Sequence, residues 1–244
     1  MSITAIPRAT KRFVYGCYAW FSLGSILIPC MLALAITPGL QRRRCLAHWA
    51  ARFFFFAIGS PVKVDGGIIG ESCVVVANHS SYLDGIILTA ALPPQFTYVI
   101  KQEMATMPMA GFLLRRLGSE FVNRENERHR NRMARRLVNA VRAGDALVFF
   151  PEGTFDEIPG LKKFRLGAFG AAWQGDKPLL PVVISGARDK LPAKAFFPSP
   201  GPLSVRICDP LHPRKQTSAE ALMQRCRQVI LGHLNEPDRE QLGS

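Results

Sequence analysis

The sequence has no Cys-x-x-Cys pair, no His-Glu-x-x-His, no Cys/His cluster and no Asp-x-Asp-x-Asp-Gly loop. Those absences remove the usual zinc and calcium signatures, and no metal is expected. A Gly-x-Ser-x-Gly elbow, the usual mount for a serine nucleophile, is also missing. Cys17, Cys30, Cys45, Cys73, Cys208 and Cys226 follow no ladder of regular spacings, and a 244-residue chain needs no staples. Free thiols in a reducing compartment are expected. Internal repeats and low-complexity tracts are absent, and 48% hydrophobic with 20% charged residues excludes wholesale disorder. Acids are scarce: 18 against 31 Lys and Arg, a formal charge of +13. The scarcity is local. Residues 1–60 hold seven Lys or Arg and no acid, and residues 115–142 hold nine Arg against Glu120, Glu125 and Glu127. With neither a helix-turn-helix nor a basic sheet interleaved with aromatics, nucleic acid is not an expected partner. Two basic zones point instead to an anionic membrane surface or an acidic partner at two places.

Phe13 to Thr37 runs 25 residues without a charge. As a helix rising about 1.5 Å per residue it reaches roughly 37 Å, enough for a hydrocarbon core of about 30 Å. Pro29 is the expected kink. Cys45–Ile58, with Trp49 and four consecutive phenylalanines, is interrupted by His48 and Arg52 and reads as an interfacial helix or the second arm of a hairpin. A cleaved signal is the competing reading, with Ala33-Leu34-Ala35 as its cleavage site; the run is too long for a signal core, and more apolar sequence follows. Residues 1–60 are therefore expected to be membrane-anchoring helices, and residues 61–244 a second unit.

From Pro61 the pattern is α/β. Short buried strands are expected at Val62–Val64, Cys73–Ala77, Thr97–Ile100, Glu120–Val122, Ala146–Phe150, Leu180–Ser185 and Leu203–Ile207. Helices are expected at Leu83–Leu92, Met104–Leu117, Glu125–Ala143, Leu166–Gln174 and Ala219–Leu234. Alternation of this kind predicts a mixed, largely parallel sheet flanked by helices. Lys190–Pro202 reads as a surface loop and Glu236–Ser244 as a polar tail.

Four segments could carry chemistry. Strand Cys73–Ala77 ends in Asn78-His79-Ser80-Ser81-Tyr82-Leu83-Asp84 at the mouth of a helix, where α/β folds place ligand chemistry. A tight turn can bring Asp84 back to the imidazole, fixing its tautomer and leaving the other nitrogen as a base. A capping histidine is the bland alternative. Gly118-Ser-Glu-Phe-Val-Asn-Arg124 ends a strand with an arginine able to grip phosphate. For Arg128, Arg130, Arg132, Arg135 and Arg136 a solvated face or an anionic-lipid contact is preferred. Phe150-Pro-Glu152-Gly153-Thr154 offers an acceptor, close backbone approach and a hydroxyl past a third strand end. Pro181-Val-Val-Ile184 alone signifies only core.

In this order and spacing the four segments resemble the blocks of the glycerolipid acyltransferases, the 1-acylglycerol-3-phosphate acyltransferase family. Lys101-Gln-Glu-Met with Pro108 and Gly111, and Lys163-Phe-Arg-Leu-Gly-Ala168, agree. The resemblance covers about residues 61–190, and the N-terminal helices look like those of bacterial members. It implies that His79 is a general base held by Asp84. That base would deprotonate an acceptor hydroxyl, which attacks an acyl thioester directly, with no acyl-enzyme. Arg124 and Lys101 would hold the acceptor's phosphate, and Glu152, Gly153 and Thr154 would line its glycerol side. No cofactor is implied beyond acyl-ACP or acyl-CoA as co-substrate. The implied partners are a membrane lipid acceptor, an anionic membrane surface and, as an alternative dock for the basic zones, acyl carrier protein. The implied location is the inner membrane, the site facing the cytoplasm. Two departures bear on the acceptor: Asn123 stands where many relatives carry Asp, and Phe155-Asp156 where many lysophosphatidate enzymes carry Arg-Ser. Another lyso-lipid, such as a lyso-ornithine lipid or lysophospholipid, is the alternative acceptor. A non-catalytic lipid-binding protein of the same fold is the alternative of another class.

Overall fold

The long apolar run folds as one helix. In the computed structural model, which describes residues 8–67, 72–122 and 127–242, helix α1 covers Arg8–Ile36 and continues through Pro29 without a break. A corner at Gly39, with φ of 79°, turns the chain into α2, Leu40–Ala57. That helix starts five residues before Cys45, because Gln41 and three arginines are good helix formers. The two helices pack on each other, yet Phe21 and Ile36 remain 74% and 85% exposed. A stripe of this kind is stable where another apolar phase covers it.

After α2 the chain alternates: β1 (Val62–Gly66), β2 (Val74–Ala77), α3 (Asp84–Ala91), β3 (Thr97–Lys101), α4 (Pro108–Arg116), β4 (Glu120–Val122), α5 (Glu127–Arg142), β5 (Leu147–Phe149), α6 (Gly167–Gly175), β6 (Leu179–Ser185), α7 (Ala187–Lys190), β7 (Leu203–Ile207), α8 (Ala219–His233) and α9 (Arg239–Leu242). The expected helix Met104–Leu117 is split into a 3₁₀ turn, Gln102–Thr106, and α4. Pro108 causes the split: it favours the first helical position and holds Met107 extended, at φ −73° and ψ 123°.

Among the described residues, seven strands form one sheet in the order β1-β7-β6-β2-β5-β3-β4. Every neighbouring pair is parallel except β6 with β7, so the sheet is mixed and largely parallel. Alternate residues of β2 serve opposite layers. Val75 and Ala77 belong to a core with Phe55 of α2 and Ile87 of α3, while Val74 and Val76 share the other with Phe169 of α6 and Leu222 of α8. Both faces of the sheet are thus covered, as parallel strands require. The six cysteines are all unbridged.

The helix pair is fastened to the sheet unit at both ends of α1. Near its start, Trp20 Nε1 donates to the Phe196 carbonyl at 2.9 Å, and Phe13 meets the Phe197 ring edge-on at 5.0 Å. Gly16 permits this approach, since a Cβ there would lie 2.7 Å from Phe197 Cβ. At its end, Arg116 donates to the carbonyls of Leu34 and Ala35 at 2.6–2.9 Å, closing the helix C-terminus. Lys190 forms a third joint. It is 1% exposed, and its ammonium donates to Tyr15 Oη, Ser60 Oγ and the Ser199 carbonyl at 3.0, 2.7 and 3.1 Å.

Three expectations need correction. The Lys190–Pro202 stretch is not a free surface loop but the seat of α1. The Glu236–Ser244 tail is bound through Glu240: Leu161 N–H donates to the Pro237 carbonyl at 2.9 Å, Arg239 N–H to the Leu161 carbonyl at 3.1 Å, and Arg227 pairs with Glu240 at 3.2 Å. Part of the basic zones faces inward. Arg44 donates to the Gln95 and Leu117 carbonyls at 2.7 and 3.0 Å, Arg52 to the Ala90 carbonyl at 3.2 Å, and Arg116 closes α1. Helix ends and turns leave carbonyls without partners, and a guanidinium satisfies them wherever it can reach.

Candidate active site

The centre of the sheet delivers His79. Past Ala77, whose Cα pairs with Val182 of β6, the side chain of Asn78 continues the ladder. Its amide nitrogen donates to the Ile184 carbonyl at 3.0 Å, and its oxygen accepts the Ile184 N–H at 2.7 Å. The backbone can then leave the sheet while still anchored to it, and His79 stands at the C-terminal edge. β6 and β7 lie on one side of β2, and β5, β3 and β4 on the other, which is where open α/β sheets form a crevice.

Asp84, the first residue of α3, is fully buried, and its Oδ2 accepts three donors: His79 Nδ1 at 2.8 Å, Ser80 N–H at 2.6 Å and Ser81 N–H at 2.9 Å. An ionised carboxylate can only accept, so Nδ1 carries the proton and Nε2 keeps its lone pair. The Ser81 hydroxyl is engaged elsewhere, donating to the Leu191 carbonyl at 2.9 Å. The imidazole stacks on Phe150 at 4.4 Å and meets the edge of Phe155 at 4.7 Å, and Tyr82 meets Phe155 at 4.7 Å. These three rings crowd an imidazole that is 19% exposed.

In front of His79 opens a cavity of about 620 Å³, bounded by α1 and α2 on one side and by the strand ends on the other. Lys101, Gly153 and Thr154 lie on its wall. Lys101 is half exposed and pairs with Glu103 at 3.2 Å. Arg124 and Asn123 lie outside the described residues. Glu152 is placed differently from the expectation. It is 5% exposed and stands behind His79 rather than on the cavity wall. Its Oε1 accepts the His79 N–H at 2.6 Å and its Oε2 the Lys162 N–H at 2.8 Å. Burial pushes this carboxyl up to about 7 against the pull of those two N–H groups, and the Asp84 and Glu236 carboxylates push the same way.

The aromatic box escaped sequence reasoning, although Phe150 and Phe155 flank the Glu-Gly-Thr segment and Tyr82 sits between His79 and Asp84. The signal was present only as adjacency to residues already singled out. Asp156, one of the departures, is a hub: it takes Arg239 at 2.6 Å and Lys162 at 3.0 Å, and its carbonyl accepts from Arg188 at 2.9 Å.

The sequence profile of the acyltransferase family matches residues 61–185. Among curated relatives, the 1-acyl-sn-glycerol-3-phosphate acyltransferase of Saccharomyces cerevisiae is 30% identical over 176 residues, covering 68% of this chain and 58% of that protein. The lyso-ornithine lipid O-acyltransferase of Pseudomonas aeruginosa is 33% identical over 183 residues, covering 75% of this chain and 67% of that protein. The match thus spans well under two thirds of the yeast relative's length and two thirds of the Pseudomonas one. In fold, the chain is similar to the crystal structure of a 1-acyl-sn-glycerophosphate acyltransferase from Thermotoga maritima, with a TM-score of 0.76 at 21% identity, covering 92% of this chain and 95% of that one.

Proposed function

This chain belongs to the acyltransferase family, and on that premise we propose that it moves a fatty acyl group from an acyl thioester to the free hydroxyl of a lyso-glycerolipid. One observation carries the reading: His79, with Nδ1 committed to Asp84, stands at the mouth of a large apolar cavity. Nε2 is then the base. It takes the proton of the acceptor hydroxyl as that oxygen attacks the thioester carbonyl, and the tetrahedral adduct collapses to the new ester and a thiolate. The thiolate recovers the proton from the imidazolium, which Asp84 stabilises in the interval. No acyl-enzyme is needed. The cavity takes the acyl chains, Lys101 and Arg124 the acceptor's phosphate, and Gly153 and Thr154 its glycerol. The donor is acyl-ACP or acyl-CoA.

The first acceptor in this reading is 1-acylglycerol-3-phosphate, giving phosphatidic acid. A second, lyso-ornithine lipid, is favoured by Phe155, an aromatic ring and not a cation beside the base, and by the similarity to the Pseudomonas protein. The exposed stripe of α1 supports attachment to a membrane, which in this reading is the inner membrane with the site toward the cytoplasm, and Arg132 and Arg135, exposed on α5, support contact with anionic headgroups or an acyl carrier protein.

The test is acyl transfer from a thioester to a panel of lyso-lipids by wild type and His79→Ala. Wild type is expected to form product with lysophosphatidate, and the variant at least about a hundredfold less. Product only with a phosphate-free acceptor moves the assignment to the second reading. No product with any acceptor leaves a non-catalytic lipid-binding protein.

A further inference from the structure

Glu152 is a buried carboxylate that the reaction sketched above does not use. It belongs to the Phe150–Thr154 segment, yet neither oxygen faces the cavity. One is held by the N–H of the base residue and the other by Lys162, ten residues along the chain. We propose that Glu152 is a positioning residue: it ties the backbone of His79 to the loop of residues 155–163 and so fixes where Nε2 stands. The proposal rests on His79 being the base.

The geometry has three parts. Asp84 sets the ring's orientation through Nδ1, but a ring held only there could still shift with its own Cα. Glu152 removes that freedom, because its 2.6 Å bond is to the main chain of His79 itself. The far end of the bridge is anchored in turn. The Lys162 carbonyl accepts from Arg227, whose guanidinium also reaches the Leu161 carbonyl at 3.1 Å and pairs with Asp238 in the C-terminal segment. Arg227 is 4% exposed and packs over the Phe164 ring. Gly160, at φ 121°, lets the segment lie close: a Cβ there would meet Pro237 O at 2.7 Å.

Both backbone donors need an acceptor, and only the ionised carboxylate supplies two. A carboxylic acid or a carboxamide turns one acceptor into a donor and leaves a buried N–H facing it. The groups around Glu152 are the Asp84 carboxylate from α3, the Glu236 carboxylate from the C-terminal segment, and His79 and Lys162 through their N–H groups. Glu236 is itself paired with Arg188 at 2.9 Å and accepts Gly160 N–H at 2.7 Å. With the carboxyl pushed up to about 7 by burial, a fall in pH through neutrality protonates it and weakens the bridge.

The experiment uses the full chain, in detergent or vesicles, and two readouts. At pH 8, Glu152→Gln is expected to lower kcat roughly tenfold to a hundredfold, the fold-change that corresponds to one buried N–H left without an acceptor. The acceptor KM is expected to stay within about twofold. Amide-exchange protection is expected to fall at His79 and Lys162 and to hold in β5 and β6. A raised KM with unchanged kcat would put Glu152 on the acceptor and overturn the proposal, and so would protection lost equally across the sheet. Where Glu152→Gln does not fold, wild type taken from pH 8 to 5.5 makes the same change by protonation. Protection at His79 and Lys162 is then expected to drop through about pH 7, and constant protection would overturn the proposal. Exchange needs no substrate, so a chain that acylates nothing would sink the reaction and leave Glu152 decided.

Discussion

The helix pair and the sheet unit meet across one cavity and line it with different chemistry. α1 and α2 contribute only apolar side chains, among them Leu27, Cys30, Ala50, Ala51 and Phe54. Among the described residues, every polar group on the wall, including His79, Thr89, Lys101, Ser119 and Thr154, comes from the sheet side. In the proposed reaction, one wall can therefore change what fits while the other determines what reacts. Their anchoring differs too. The sheet's strands are joined by backbone ladders, whereas α1 is joined to the sheet unit by side chains: Trp20, Tyr15 to Lys190, and Arg116.

That division can be tested from either wall. The largest effect is expected from Asp84→Asn, which removes the acceptor that selects the Nδ1–H tautomer. Turnover is expected to fall at least about a hundredfold for donors of every chain length, with the fold retained by circular dichroism. A drop confined to long-chain donors would contradict the division. Ala50→Phe, on the opposite wall, fills cavity space: long-chain donors are expected to lose about tenfold in kcat/KM while short-chain donors keep theirs. Equal loss for all lengths would mean that this wall reaches the reacting centre. Arg116→Ala is expected to do least. It uncaps α1, at about 1–2 kcal/mol, and lowers Tm by a few degrees with kcat within twofold. A collapse of activity would show that the seating of α1 controls the site.

Much of this was legible in the sequence because it follows a period or a motif. β2 reads as five apolar residues closed by Asn78-His79, and the pair of His79 and Asp84 needs only a tight turn. What escaped was made by partners distant in sequence. Glu236–Gln241 has the composition of a solvated tail, but Arg227, Arg188 and Asp156 lie where those charges can pair, and charge complementarity has no periodicity to read. Glu152 was singled out on its motif and expected on the glycerol side, but nothing in Pro-Glu-Gly-Thr says which way a carboxylate points. Arg44, Arg52 and Arg116 counted toward a basic surface because a charge sum cannot see a helix end.

The C-terminal segment also has a place in time. A ribosome delivers the chain from its N-terminus, and domains fold as their residues emerge. α1 and α2 precede the sheet. The edge strand β1 waits for β7, its parallel partner at Leu203–Ile207. The loop that holds Glu152 through Lys162 waits longer still, for Pro237–Arg239 to lie against Leu161. In chain order the helix pair therefore precedes every strand of the sheet, while the support under Glu152 is complete only once residues 237–239 have joined it.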